Sequence, residues 1–298
     1  MLPTEKMTPA TAEKRAQFTE FIQQVLAPET AVRGVVGIGS LASGHMRPNS
    51  DIDAIIFLDP FDLYIVPAEA IWQPAEDTFY SIFDEVHQPG GLQLDFYRLP
   101  FKQWADPAFA WPEARRAELS RGWIAYDPTG DVARLIAQKT AYPDDLRLQR
   151  LDEAIVWLDQ LLGDNTPETV WQALGPAIAH DRLQAAYRNL VQALFAYNRQ
   201  WLIWRNREMN DLLNLQWLPA GFATDVVTAV TPPDSSHDGY HQRADTLRRF
   251  NTELLNQLIA NGDYSHAPVD QAFMRLHEEP GRSWNIEEWN KFRNTRKL

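Results

Sequence analysis

Gly39-Ser40-Leu41-Ala42-Ser43-Gly44-His45-Met46-Arg47-Pro48-Asn49-Ser50-Asp51-Ile52-Asp53 is the stretch on which the fold turns. An apolar run leads into it (Val35, Val36, Gly37, Ile38), and a second follows it (Ala54, Ile55, Ile56, Phe57, Leu58). That order predicts a strand, a turn of small residues, a loop, and a second strand opening on two carboxylates. Side chains alternate along a strand, so Asp51 and Asp53 share a face with Cα atoms about 6.7 Å apart. Ile52 and Ala54 then point the other way, into a core. Paired carboxylates converge on hard divalent cations. A Gly-Ser turn brings backbone N–H groups and a hydroxyl to a phosphate. A phosphate grip beside a metal grip suggests phosphoryl or nucleotidyl transfer. The alternative is an ordinary acidic loop ahead of a buried strand.

Moving outward, Pro9 to Leu26 has helical spacing, with Phe18, Phe21, Ile22 and Val25 on one face and Ala27-Pro28 ending it. Pro67 to Val86 reads as a helix interrupted near Pro74, and Pro89-Gly90-Gly91 turns the chain. Leu92 to Leu99 alternates as a strand, with Asp95 among apolar neighbours where an unpaired carboxylate is costly to bury. Asp95 is either a third functional carboxylate or a strand-end group paired with Arg98 or water. Trp111 to Ser120 reads as a short helix, and Gly122 to Pro128 as a closing strand and turn.

From Thr129 the pattern becomes helix after helix: Val132 to Lys139, Leu146 to Leu162 ending at Gly163, and a long tract after Thr166-Pro167. Tyr240 to Ile259, Pro268 to Leu276 and Ile286 to Phe292 follow. Thr231-Pro232-Pro233-Asp234-Ser235-Ser236 is the best candidate for a mobile loop. The expected organisation is an α+β catalytic domain over 1–141 and an all-helical, substrate-binding domain over 142–298, with Tyr142-Pro143-Asp144 as the linker.

Composition narrows the class. A chain of 298 residues can bury a substantial core and favours two domains. It has no cysteine, which excludes disulfides and thiolate metal sites and suits a reducing, cytoplasmic setting. No basic-then-apolar leader opens it, and no apolar run reaches the roughly 20 residues of a membrane span. The net charge of −12 weighs against a nucleic-acid partner, whose phosphates call for a basic surface. An acidic surface attracts a cationic small molecule, or simply aids solubility.

The Gly39-Ser40 turn joined to Ser50-Asp51-Ile52-Asp53 resembles the signature of the DNA polymerase β-like nucleotidyltransferases, and specifically their two-domain, small-molecule branch that includes aminoglycoside nucleotidyltransferases. The resemblance is specific over roughly residues 30 to 100 and topological beyond. It implies a mixed sheet with flanking helices as the core, followed by a helical bundle, with the substrate cleft between the two. It implies two Mg²⁺ ions held by Asp51, Asp53 and Asp95, with ATP or another nucleoside triphosphate as co-substrate. Gly39, Ser40 and Ser50 would contact the nucleotide. Asp95 would stand on a strand antiparallel to that of Asp53 and bind metal or take the acceptor's proton, with Glu85 and Asp84 next in line as base. Many relatives carry a basic residue where this chain has Ser43. Arg205 or Arg207, placed at the end of the longest helix, could replace that charge, or could be a solvated cationic helix end.

The implied reaction is transfer of AMP to a hydroxyl of a small molecule, an aminoglycoside-like cation being the best guess. A protein-AMPylating enzyme and a non-catalytic nucleotide-binding regulator are the alternatives. Oligomeric state is left open. His237 and His241, four apart, could share a helix face but lack an acidic partner in the sequence and read as surface residues; His45, in the signature loop, could touch a phosphate but reads as exposed. Eleven tryptophans could line a cleft but more often pack cores.

Overall fold

A computed structural model describes residues 7–83, 91–202, 205–278 and 286–296. The chain divides into two compact units, 1–141 and 142–298. Among the described residues the architecture is α+β: a six-stranded mixed sheet with helices in the first unit, and helices alone in the second.

In the first unit, α1 (Pro9–Phe21) starts at Thr8, whose Oγ1 accepts from the Thr11 N–H, and runs into one turn of π-helix at Ile22–Leu26. Strand β1 (Val32–Gly37) leads into the short helix α2 (Gly39–Ser43), and β2 (Ile52–Leu58) follows. Next come β3 (Glu69–Gln73), β4 (Thr78–Tyr80) and the long strand β5 (Leu92–Pro100). Helices α3 (Phe101–Ala105) and α4 (Glu113–Ser120), strand β6 (Trp123–Tyr126) and helix α5 (Asp131–Thr140) complete the unit. The strand order is β4-β3-β5-β2-β1-β6. β2 and β5 are parallel and the other neighbours antiparallel.

Two expectations fail here. Pro67 to Val86 is no helix, because β3 and β4 form a hairpin within its described part. Ala70, Ile71, Trp72 and Gln73 are all buried, since β3 lies between two other strands and is covered on both faces. A strand buried on both faces loses its two-residue alternation and cannot be told from a helix by periodicity. Pro67 and Pro74 bracket it, as prolines bracket strands. The second failure follows from the first. The chain crosses from β2 to β5 through this hairpin, and so β5 runs parallel to β2 instead of antiparallel.

Pleating assigns the two faces. Ile52, Ala54, Ile56 and Leu58 join Leu92, Leu94 and Phe96 against Phe18, Phe21, Ile22 and Leu26. On the other face Ile55 and Phe57 pack with Trp104, Trp111, Leu119, Leu135 and Ile136. Asp51, Asp53 and Asp95 have the odd-numbered parity of this second face; Asp51 just precedes β2, Asp53 is its second residue, and Asp95 lies in the N-terminal half of β5.

In the second unit the helices are α6 (Asp144–Leu162), α7 (Thr166–Leu174), α8 (Pro176–Tyr197), α9 (Arg205–Leu213), α10 (Phe222–Val230), α11 (His237–Ala260), α12 (Pro268–His277) and α13 (Ile286–Thr295). Gly175, at φ +81°, splits the long tract expected after Pro167 into α7 and α8. Leu151, Ile155 and Leu158 of α6, Leu183, Leu190 and Leu194 of α8, and Leu247, Phe250 and Leu254 of α11 form its core. Among the described residues, no helix is long and apolar enough to cross a membrane.

Candidate active site

The chain turns sharply where β1 meets α2. Gly39 has φ +61°, a left-handed conformation that favours glycine, so a side chain there would be strained. Ser40 follows in the first turn of α2, and the Ile38 N–H donates to the Asp53 carbonyl at 3.0 Å, fastening the turn to the start of β2. Gly44, at φ +83°, ends the helix.

Arg15 of α1 is a residue the sequence did not single out. Its guanidinium donates to the Leu41 carbonyl (2.8 and 3.1 Å) and to the Ala42 carbonyl (3.1 Å), and lies 4.7 Å from the Trp123 ring centre. It thus satisfies carbonyls at the end of α2 that the helix itself leaves open. Thr8 and Thr11 hold the next residues: Thr8 Oγ1 donates to the Met46 carbonyl and Thr11 Oγ1 accepts from the Met46 N–H, each at 2.9 Å. The loop between β1 and β2 is therefore pinned by α1. Ser50 Oγ accepts from the Arg47 N–H at 3.0 Å, closing the loop just before Asp51. Ser43 Oγ donates to the Ser40 carbonyl, and His45 Nδ1 donates to the Ser43 carbonyl at 2.7 Å, so both are turned onto their own backbone.

The register brings the carboxylates together. Asp53 stands opposite Asp95 across the β2/β5 pair, and Asp95 stands opposite Glu69 across β5/β3. Glu69 is a fourth carboxylate that the sequence reading missed, because the segment looked helical. Asp51, Asp53 and Asp95 are half-buried and Glu69 is exposed. The Asp95 carboxyl titrates above the ordinary carboxylate range, first because burial disfavours its charged form, then because Glu69 and Asp51 repel it. Among the described residues neither Asp51 nor Asp95 has a hydrogen-bonded cation as partner. Arg98 is not that partner: three residues along the strand, it points to the opposite face and donates to the Leu63 and Val66 carbonyls at 3.1 and 3.2 Å. An oxygen-only donor set of clustered carboxylates fits a hard divalent cation such as Mg²⁺.

Other expected site residues fall elsewhere. Arg205 and Arg207 are in the first turn of α9, not at the end of the longest helix, because α8 stops at Tyr197. The reading of a favourable cationic helix C-terminus therefore fails for them. Their side chains, and Asp84 and Glu85 entirely, lie outside the described residues. His237 and His241 do have an acidic partner: Glu168 of α7 is 2.8 and 2.7 Å from their Nε2 atoms. A partner 69 residues upstream leaves no local signal in the sequence.

No family model matches this chain, and no curated protein does. Among solved structures it is similar to a nucleotidyltransferase-like protein from Exiguobacterium sibiricum 255-15, with 10% identity and a TM-score of 0.37 over 91% of this chain and 81% of that one. A likeness that slight assigns neither fold nor chemistry.

Proposed function

We propose that this chain is a metal-dependent nucleotidyltransferase that moves a nucleoside monophosphate, AMP from ATP, to a hydroxyl of a small molecule. The observation that carries the reading is the alignment of Asp53 with Asp95 on adjacent parallel strands, beside the Gly39-Ser40 turn, whose preceding residue Ile38 donates to the Asp53 carbonyl. Asp51, Asp53 and Asp95 would hold the Mg²⁺ ions. Bound there, Mg²⁺ would lower the pKa of the acceptor hydroxyl and neutralise charge on the departing pyrophosphate. The Gly39 and Ser40 N–H groups and the Ser40 hydroxyl would hold the β- and γ-phosphates.

In the transfer step, the acceptor oxygen forms a bond to the α-phosphorus while the bond from phosphorus to the bridging oxygen of pyrophosphate breaks. The hydroxyl proton goes to a carboxylate oxygen of Asp95. Asp95 is assigned that role because it stands opposite Asp53 in the strand register and is half-buried beside the carboxylates that would hold the metal. The net charge of −12 supports a cationic acceptor of the aminoglycoside kind.

Asp53→Asn tests the assignment, since it removes a charged ligand at nearly constant volume. Pyrophosphate release from ATP and Mg²⁺ across pooled hydroxyl acceptors is expected to disappear while far-UV circular dichroism is unchanged. Wild-type turnover in that variant would remove Asp53 from the chemistry.

A further inference from the structure

Glu168, His237 and His241 lie in the helical unit, outside the site just described. Among the described residues they form a group of potential metal ligands whose donor atoms all lie within 4.8 Å of one another. We propose that they form a second metal site, selective for Zn²⁺ or a similar borderline divalent ion, that clips the first turn of α7 to the first turn of α11.

The backbone builds the pair. Residues four apart on a helix share one face, so His237 and His241 present their rings side by side, with centroids 4.4 Å apart. Glu168, in the first turn of α7, faces both. Its Oε2 is 2.8 Å from His237 Nε2 and 2.7 Å from His241 Nε2, and the two Nε2 atoms are 3.1 Å apart. These three atoms make a nearly equilateral triangle. One face of a tetrahedral Zn²⁺ shell has edges of about 3.3 Å when its bonds are about 2.0–2.1 Å long. The two edges to Glu168 need to open by about half an ångström, and the edge between the histidines by less, to reach that spacing and admit the ion. Their side chains are 31–42% exposed, so room for that movement and a path for entry both exist.

The ligands are oriented from outside the triangle, as metal ligands commonly are. Glu168 Oε1 accepts from Gln172 Nε2 at 2.9 Å, which fixes the carboxylate and leaves Oε2 to the histidines. The Trp171 ring lies 5.2 Å from His237, and Tyr240 lies 5.5 Å from His241. Gly239 is tightly enclosed: a Cβ there would come within 2.6 Å of the Asp234 carbonyl oxygen. Ser236 Oγ accepts from the Gly239 N–H and caps the helix. The loop read as mobile is thus tied to the histidine turn through Asp234 and Ser236.

Hydrogen bonding alone suits this arrangement poorly. Without a metal, the three contacts cannot all be hydrogen bonds: two donating Nε2 atoms place their N–H dipoles 3.1 Å apart, and an Nε2 that instead accepts from its neighbour turns its lone pair toward the carboxylate oxygen. A metal accepts both nitrogen lone pairs after each ring moves its proton to Nδ1, and turns that repulsion into coordination. Two imidazoles and one carboxylate favour Zn²⁺ over Mg²⁺. The fourth position of the tetrahedron is left to water.

The test uses the full chain carrying Asp53→Asn and Asp95→Asn, so that carboxylates of the first unit do not compete. Zn²⁺ is titrated against a chromophoric chelator in excess Mg²⁺. One Zn²⁺ per chain is expected to bind, weakened by about 100-fold or more when His241→Gln is added, since losing a ligand exceeds the loss of an outer-shell partner. Co²⁺ in place of Zn²⁺ is expected to give the intense visible bands of a four-coordinate N/O site. Absence of Zn²⁺ binding in the parent, equal binding after His241→Gln, or a weak octahedral Co²⁺ spectrum would each overturn the proposal. Should His241→Gln unfold, the Co²⁺ spectrum of the parent and its loss in Glu168→Gln decide. None of these readouts depends on nucleotidyl transfer, so failure of either site leaves the other standing.

Discussion

At the scale of single residues, Asp95 has an unusual energetic position. Its folded-state pKa is raised, by burial first and then by Glu69 and Asp51. Between the ordinary aspartate value and the raised one, the native state binds more proton than the unfolded state, so stability falls as pH rises through that window. Below it the carboxyl is protonated in both states and no penalty exists. Asp95→Asn is therefore expected to raise Tm in EDTA at pH 7, with the gain vanishing in acid below the window. An unchanged or lower Tm at pH 7 would mean that Asp95 is not under electrostatic strain. The same repulsion makes a divalent cation welcome, which is how a residue that harms the bare fold can serve chemistry. Ser40 is a simpler case. Ser40→Ala is expected to weaken ATP binding by about 1 kcal/mol, the worth of one hydrogen bond. Unchanged affinity by calorimetry would take the hydroxyl out of the phosphate grip.

At the scale of elements, α2 is too short to hold itself in place. Five residues give few internal hydrogen bonds, and helices of this length do not persist alone. Arg15 supplies what is missing by bonding to two carbonyls of its last turn, at the cost of partial desolvation. Arg15→Ala is expected to destabilise the first unit by about 2 kcal/mol, as for hydrogen bonds from a charged donor, and to loosen the Gly39-Ser40 turn. Urea denaturation gives the first number, and ATP titration gives the second effect. Loss of stability without loss of ATP affinity would separate the strut from the phosphate grip. The β3–β4 hairpin matters in another way: by carrying the chain across to β5, it aligns Asp95 with Asp53 and brings Glu69 alongside.

At the scale of the whole molecule, each unit has its own core and its own means of fixing it. The helical unit relies on partly buried ion pairs as well as apolar packing. Asp152 accepts from Tyr264 Oη at 2.7 Å and from Arg275 Nε and Nη2 at 2.8 and 2.7 Å, joining α6 to α12 and the turn before it. Arg147 pairs with Asp263 through two bonds of 2.8 and 2.7 Å. Asp152→Ala leaves Arg275 and the Tyr264 hydroxyl without their acceptor in a site where Asp152 is only 4% exposed. A loss of about 2 kcal/mol is expected in chemical denaturation of the full chain, chiefly from leaving the buried Tyr264 hydroxyl without its acceptor, since Arg275 is partly exposed. A change below about 0.5 kcal/mol, the range of ordinary surface substitutions, would show that packing alone holds α12.

The sequence by itself determined the local facts: the Gly39-Ser40 turn, the parity of Asp51 and Asp53, the alternation around Asp95, and the helices after Thr129. Each rests on a period or a backbone preference that acts within a few residues. What lies far apart in the chain was decided by tertiary structure. The parallel sense of β5, the strand at Glu69, the grip of Arg15 on α2 and the meeting of Glu168 with His237 and His241 all depend on which elements become neighbours. Neighbours are chosen by burial of whole faces, and a residue's own flanking sequence carries no trace of that choice. This is why two histidines that look like surface residues in the chain share one carboxylate oxygen in the fold.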